Sequence, residues 1–453
     1  MLDVIIIGAG PAGSVTATLL RRLGFEVEIW ERTPFPRHRI GESLPPRAVA
    51  LLRHLGLKID DFAVMEGHTS IWGTAEPHRA VFQEGYGLQV ERERFDQMLL
   101  EQSGCGIHFG KVASGLIKEK DRVVGVRSTE GETRARYIVM ATGPGKATRH
   151  LRQSAIFGYW RNSKHPEGSQ ANDTIIEAFP DGWVWSLRLA SDQRNVTVVF
   201  DSPGTSYLEA IRQTSFVRQM LEGAELISRP VGCDASWQCV DSFAEAGVLH
   251  VGDSGSVIDP LSSQGVYKAM CAAMSAAVVI NTCIKKPELE NSALDFYNEE
   301  ERRTYDGYSA GSVATFRNEQ RWPDRPFWKT RHDLKAWDIQ PRVFSTELAH
   351  AIETGKDSSI VLGNAPGTGV AKRPTMSGTF IELAEYVVSA VFQYGYRGAH
   401  ASTILRIHRS LAQPKPLHAL LAELRSRDVS GLLKVIAYMY REGLISAGAP
   451  NGV

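Results

Sequence analysis

Glycine- and acid-bearing segments hold the residues whose types and spacing suit chemistry. Gly8-Ala9-Gly10-Pro11-Ala12-Gly13 is followed, eighteen positions past Gly13, by Glu31. Gly8 permits a tight turn, Gly10 lets backbone approach a pyrophosphate, and Gly13 lets a helix lie close on a strand. The helix amino end offers unpaired N–H groups and about half a positive charge, and Glu31 can accept from a ribose hydroxyl. That chemistry is the gripping of an adenine dinucleotide. Far down the chain come Gly252-Asp253, Asp259-Pro260, and Gly265-Val266 opening a run of small residues. Asp253 can bind a ribityl hydroxyl, and a helix end at Gly265 and Val266 can face the electron-rich pyrimidine edge of a flavin ring.

Each of these residues needs an element to hold it. The apolar run Val4–Ile7 predicts a strand before the first glycine turn, with a helix after it and a second strand ending on Glu31. Arg92 falls where an extended segment turns into an amphipathic helix, so it can reach a phosphate. Tyr137-Ile-Val-Met predicts a buried strand that ends in the Ala141-Thr142-Gly143 turn. The segment Pro34-Phe-Pro-Arg-His-Arg-Ile-Gly-Glu-Ser-Leu-Pro-Pro is too rich in proline to be a floppy linker. Its polar tips Arg37, Arg39, Glu42 and Ser43 are suited to holding something. Arg32, Arg39, Glu42, Ser43, Arg92, Gly143 and Pro260 are expected to join the glycines, Glu31 and Asp253 in a cofactor-binding set.

Lys+Arg and Asp+Glu are balanced at 51 each and 43% of residues are hydrophobic, which predicts a globular protein with a substantial core. No basic excess points to nucleic acid, and no uninterrupted apolar run is long enough to predict a membrane span. The first strand begins at the amino terminus, so a cytoplasmic address is expected. Cys105, Cys233, Cys239, Cys271 and Cys283 are sparse and odd in number, which predicts reduced thiols and no metal site.

Taken in order, these motifs resemble the flavoprotein monooxygenase superfamily of the para-hydroxybenzoate hydroxylase type, especially its flavin-dependent halogenase-like branch. The residues that carry the resemblance are Gly8, Gly10, Gly13 and Glu31; Pro36-Arg37 with Gly41-Glu42-Ser43; Arg92, Phe95 and Asp96; Ala141–Gly143; and Gly252, Asp253, Asp259, Pro260 and Gly265. The resemblance implies FAD as cofactor and an α/β fold: a Rossmann-like FAD-binding domain, a mixed-sheet substrate domain and a small helical, winged-helix-like carboxyl-terminal domain. The body is expected over residues 1–330, with the substrate part inserted at about 60–90 and 150–240. Residues 331–378 are expected as a linker region and 379–453 as the carboxyl-terminal domain. Helices are predicted over 380–392, 399–411, 416–425 and 430–441.

The resemblance also frames the reaction. Flavin-dependent halogenases keep a lysine on a strand some thirty residues past the Gly-Glu loop, whereas this chain has none between Lys58 and Lys111; Thr69 or Ser70 stands near that place. Without that lysine the simpler chemistry is oxygen insertion, in which reduced flavin adds dioxygen at C4a and a dry pocket presents the hydroperoxide to an electron-rich aromatic ring. Trp72, Phe82, Tyr86, Trp160, Trp183 and Trp185 can line such a pocket or fill core, with Trp183 and Trp185 on one strand face. His68, His78 and Glu66 are general-base candidates, and His68 with Thr69 are the catalytic candidates. Electrons would come from NAD(P)H directly or from a separate reductase. A helical appendage on this body is similar to the monooxygenase that matures the tryptophylquinone of quinohemoprotein amine dehydrogenase, which implies a peptide-bound tryptophan as aromatic substrate. Halogenation, and flavin binding without turnover in a regulator or adaptor, are the alternatives. The mild basic excess from Ala371 onward suits a protein partner, dimerisation or cover for the body better than DNA.

Overall fold

A computed structural model of the chain describes residues 1–59, 61–165, 170, 172–189, 192–201, 206–334, 345–389 and 400–448. Two compact units, Met1–Trp337 and Asp338–Val453, divide it.

In the first unit, Leu2–Ile7 runs parallel to Val27–Glu31 on one side and to Gly131–Met140 on the other, with Ile6 opposite both Ile29 and Val139. Val4, Ile5 and Ile6 are fully buried. A strand apolar on both faces has to be covered on both, which places it centrally in a parallel sheet. Across that sheet the order is Ala244–Glu245, Val248–His250, Gly131–Met140, Leu2–Ile7, Val27–Glu31 and Gly106–Phe109. Helix Pro11–Arg22 crosses between the first two strands, starting at a proline whose missing N–H is no loss there. Helix Gly265–Lys285 packs against it. This helix is long and apolar enough to cross a membrane, but 72% of its apolar window is buried within the protein. Alternation of Ala272, Ala273, Ala276 and Ala277 with larger residues makes it a core helix.

A second, eight-stranded sheet runs in the order Glu225–Leu226, Ser154–Arg161, Arg194–Phe200, Gly182–Arg188, Thr174–Phe179, Gly67–Ile71 and His78–Val81, with Val231–Asp234 also on Ser154–Arg161. Strand alternation gives it two chemically distinct faces. Ile71, Ile175, Val184, Val196 and Val198 point to one face and pack on Tyr207, Ile211 and Phe216 of two short helices. Ala155, Ala178, Trp183 and Val199 point to the other, where Trp72, Trp185, Trp237, Phe316 and Trp328 gather. Burying one such large side chain contributes about 1.5–3 kcal/mol. The first face is also pinned electrostatically: the Glu177 carboxylate accepts the amides of Ser215, Phe216 and Val217 at the start of helix Phe216–Met220.

The second unit has its own core of Ile352, Leu362, Ile404, Ile407, Leu417, Leu420, Ile436 and Met439. Helices Ala401–Ser410, Leu417–Leu424 and Val429–Arg441 fall where the apolar stripes predict them. Two expectations are corrected. The segment read as linker contains helix Thr346–Thr354 and strand Val361–Asn364, which pairs with Lys415–Pro416 and Ile445–Gly448. The helix predicted over 380–392 is strand Phe380–Val388, paired residue for residue with Gly369–Ser377; residues 390–392 lie outside the described residues. Gly378, at φ +57°, makes the turn between the two strands, and a stable hairpin partner overrides weak helical periodicity.

Candidate functional site

The glycine turn is assembled by backbone contacts that leave no room for side chains. A Cβ on Gly8, which has φ +108°, would lie 2.3 Å from the Ala141 carbonyl oxygen, and one on Gly13 would lie 1.9 Å from the Gly8 carbonyl oxygen. Gly8 therefore locks the first turn against Ala141-Thr142-Gly143, which is further held by the Ala141 amide donating to Ile7 O at 2.8 Å. Gly143 itself takes φ +76°.

Glu31 is buried beneath this turn. Its Oε2 accepts the Ala9 amide at 2.8 Å and faces Arg37 Nη1 at 3.1 Å, while Oε1 accepts the Thr33 amide at 2.9 Å. A carboxylate offers about four lone-pair sites, so acceptor capacity remains for a sugar hydroxyl. Arg37, which lies outside the expected cofactor set, is the more telling basic residue. Its Nη2 lies 3.4 Å from where a Cβ on Gly10 would stand, at the point of expected pyrophosphate approach. Burial pushes its pKa down, opposed by the charges of Glu31 and Asp96. Arg32 and Arg39, by contrast, are exposed, and among the described residues Arg39 donates only to the neighbouring His38 carbonyl. Arg92 is fixed by a two-point pair with Asp96, Nε to Oδ1 at 2.8 Å and Nη2 to Oδ2 at 3.0 Å, and its Nη1 donates to Ile40 O at 2.6 Å. It thereby clamps the proline-rich loop to helix Arg92–Ser103.

The late motif closes on the same place. Gly252 is wedged between two helices, a Cβ there lying 3.0 Å from Ala12 Cβ and 3.2 Å from Ala269 Cβ. The glycine-turn helix and the helix opened by Gly265 are thus brought together around Asp253. Among the described residues Asp253 accepts no hydrogen bond from the chain, and burial raises its pKa against the pull of Lys268 and Arg92. Lys268, fully enclosed, donates to Gly252 O at 3.2 Å and Ser256 O at 2.6 Å, so it ties the Asp253 loop to the helix. The helix start at Gly265 and Val266 carries no capping side chain. Asp259 accepts from the Leu261 amide at 2.7 Å and from Gln153 Nε2 at 3.0 Å, which sets Pro260 in the turn leading to that helix. An unspent, half-buried acceptor, an uncapped helix end and a turn with no room for side chains at Gly8 and Gly13 fit a flavin dinucleotide: Glu31 suits its ribose, Gly10 and Arg37 its pyrophosphate, Asp253 its ribityl chain, and Gly265 with Val266 the pyrimidine edge.

Sheet parity sorts the remaining candidates. Trp183 and Trp185 do share a face, with ring centroids 5.4 Å apart. Trp183 is completely enclosed and Trp185 half-buried, so Trp183 fills core and Trp185 is nearer the open side. Trp72 joins them but its indole donates to Thr315 O at 2.9 Å, a structural role. Thr69 is a correction: it shares the opposite face with Ile71, is buried, and donates to Asp173 Oδ2 at 2.9 Å beside Arg79. The alternation puts His68 and Ser70 on the tryptophan face. His68 is half-buried, and burial lowers its pKa against the pull of Asp173. Tyr86 is a second correction, since it lies exposed under Arg53 with its ring 5.1 Å from the guanidinium. His78 and Glu66 are exposed, and Trp160 faces the other side with its indole on Tyr207.

Glu42, in contrast, is a centre. It is 1% exposed, its Oε1 accepts Tyr159 OH at 2.7 Å and Asn195 Nδ2 at 3.2 Å, and its Oε2 accepts the Gly41 amide at 3.0 Å. Burial raises its pKa, with the Tyr159 hydrogen bond opposing. Ser43, next to it, pairs in register with Gln89. Neither Tyr159 nor Asn195 carried a sequence signal beyond strand alternation.

Comparison with known proteins agrees with this geometry. Residues 1–199 match the FAD binding domain family. A tryptophan 2-halogenase of Chondromyces crocatus is 28% identical over 404 residues, covering 78% of this chain and 76% of the relative. Both matches fit the halogenase-like branch of the FAD-dependent flavoprotein monooxygenases. Two solved structures share its fold from end to end. The flavin-dependent halogenase CmlS superposes with a TM-score of 0.81 at 24% identity, covering 100% of this chain and 97% of the other. The peptidyl tryptophan dihydroxylase QhpG, essential for tryptophylquinone cofactor biogenesis, superposes with a TM-score of 0.72 at 21% identity, covering 98% and 99%. The protein is an FAD-dependent enzyme of the oxidoreductase type.

Proposed function

We propose that this flavoenzyme hydroxylates an electron-rich aromatic substrate, with a peptide-bound tryptophan during tryptophylquinone biogenesis as the specific reading. The observation that carries the hydroxylase reading is the composition of the substrate sheet. Among the described residues, no strand of that eight-stranded sheet carries a lysine, on either face. The face beside the tryptophans offers Ser70 and His68 instead. Full-length likeness does not discriminate, because a halogenase and a peptidyl tryptophan dihydroxylase both cover both units. The lysine does.

Bound FAD supplies dioxygen activation at the ring, drawing electrons from NAD(P)H directly or through a separate reductase. The chain's own residues supply the rest. Arg37, Glu31 and Asp253 hold and orient the nucleotide, the tryptophan-rich face excludes water, and Glu42 stands where the cofactor loop meets that face. Halogenation is the second reading, favoured by the tryptophan 2-halogenase relative. Supplying reductant, oxygen, bromide and a tryptophan-containing peptide, then weighing the product by mass spectrometry, separates the two. Added oxygen without bromine supports hydroxylation, and a brominated product overturns it.

A further inference from the structure

We propose that Glu42, Tyr159 and His38 form a proton conduit that connects the cofactor-facing side of the substrate sheet with solvent. Its purpose rests on the hydroxylation reading, since replacing an aromatic C–H by C–OH requires a proton to be handed away from an enclosed ring. Its existence rests on geometry alone.

The inner end is fixed by register. Trp185, Thr197 and Phe157 stand side by side on three neighbouring strands, and one step along, Leu187, Asn195 and Tyr159 do the same. Thr197 Oγ1 donates to Asn195 Oδ1 at 2.7 Å and Asn195 Nδ2 donates to Glu42 Oε1 at 3.2 Å. An amide does not relay protons, so Thr197 and Asn195 are positioning residues that aim the carboxylate. From Glu42 the path runs outward. Tyr159 OH donates to Glu42 Oε1 at 2.7 Å and lies 3.3 Å from His38 Nε2; His38 Nδ1 lies 3.4 Å from Glu93 Oε1. Exposure rises from 1% at Glu42 to 48% and 46% for the His38 and Glu93 side chains. Each separation is within or just beyond hydrogen-bond range, and no apolar gap interrupts it.

The transfer balances without electrons. A proton leaving Glu42 adds to the Tyr159 oxygen as the Tyr159 O–H bond breaks toward His38 Nε2, and His38 then releases a proton to water or Glu93. Tyr159 is a neutral hydroxyl before and after: its O–H starts turned toward His38 and ends turned toward Glu42, the orientation the structure records, and rotation about the C–O bond resets it. The groups facing Glu42 are Tyr159 and Asn195 from the sheet, the Gly41 amide of its own loop, and the Arg92 charge from helix Arg92–Ser103. Those facing His38 are Tyr159, the Phe157 ring at 5.6 Å and Glu93. His38 suits the outer end because an imidazole can take a proton on one ring nitrogen and release one from the other, and its two nitrogens face Tyr159 and Glu93.

The test is a pH jump on the full-length protein followed by time-resolved infrared absorption of protonated carboxyl groups. Glu42→Gln identifies the Glu42 band by removing it. With Tyr159→Phe or His38→Phe, both of which preserve ring packing, the band is expected to equilibrate about tenfold or more slowly than in wild type. Added imidazole is expected to restore the rate of a His38→Ala variant. Wild-type equilibration in both Tyr159→Phe and His38→Phe overturns the conduit. If Tyr159→Phe fails to fold, His38→Phe decides alone, since its side chain is half exposed. Slow equilibration in these variants alongside a brominated product would retain the conduit and reject hydroxylation.

Discussion

Replacing Glu301 by glutamine is expected to make the first unit more stable in mild alkali. Glu301 is buried on helix Glu290–Arg317, its Oε2 has no hydrogen-bond partner among the described residues, and burial raises its pKa from 4.5 to about 7 against the pull of Lys268. The folded chain therefore keeps a proton that the unfolded chain has already released between those two values. Stability from this group is complete below pH 4.5 and is lost as pH rises to about 7. At about 1.4 kcal/mol per decade of proton concentration, the loss amounts to about 3 kcal/mol. Glutamine has the same shape and stays neutral, so the variant does not incur it. All nine tryptophans lie at or before Trp337, so tryptophan fluorescence during urea unfolding reports the first unit alone. The difference in unfolding free energy, variant minus wild type, should climb by about 3 kcal/mol from pH 4.5 to about 8 and then level off. A flat difference curve would show that Glu301 is ionised against Lys268 throughout, and the reasoning fails.

Four further outcomes are expected. Gly8→Ala should abolish FAD binding and cost more than about 3 kcal/mol of stability, measured by flavin absorbance after gel filtration and by urea unfolding, because a left-handed turn and a carbonyl clash act together. Arg37→Ala should weaken FAD binding about tenfold or more in a fluorescence titration, whereas Arg39→Ala should leave it near wild type. Thr69→Lys should lose about 3 kcal/mol or more by burying a charge and breaking the Asp173 bond, while Ser70→Lys, on the opposite face, should fold normally; equal thermal melting temperatures would contradict the assigned parity. Glu177→Ala should cost about 3 kcal/mol in urea unfolding by stripping an acceptor from several buried donors.

What the sequence determined by itself is local. A tight turn needs glycine at Gly8, a two-sided apolar strand needs a central place, and a proline-rich loop cannot be limp; each follows from constraints within a few residues. The tight turn at Gly8, the strand that ends on Glu31 and the helix opened by Gly265 were legible for that reason. The tertiary structure decided what depends on register and on distant partners. One position separates Thr69 from Ser70, yet the strand pleat sends them to opposite faces, and only pairing with Thr174–Phe179 and His78–Val81 fixes which face meets the tryptophans. Residues 380–388 became a strand because residues 369–377 lay beside them. Arg37, buried against Glu31 and Asp96, outranked the exposed Arg32 and Arg39, although all three are equally basic on paper. Tyr159 meets Glu42 across 117 positions of chain. Spacing in sequence carries no information about such an encounter, because it is set by how two sheets and a loop pack, and burial then turns an ordinary hydroxyl and carboxyl into a functional pair.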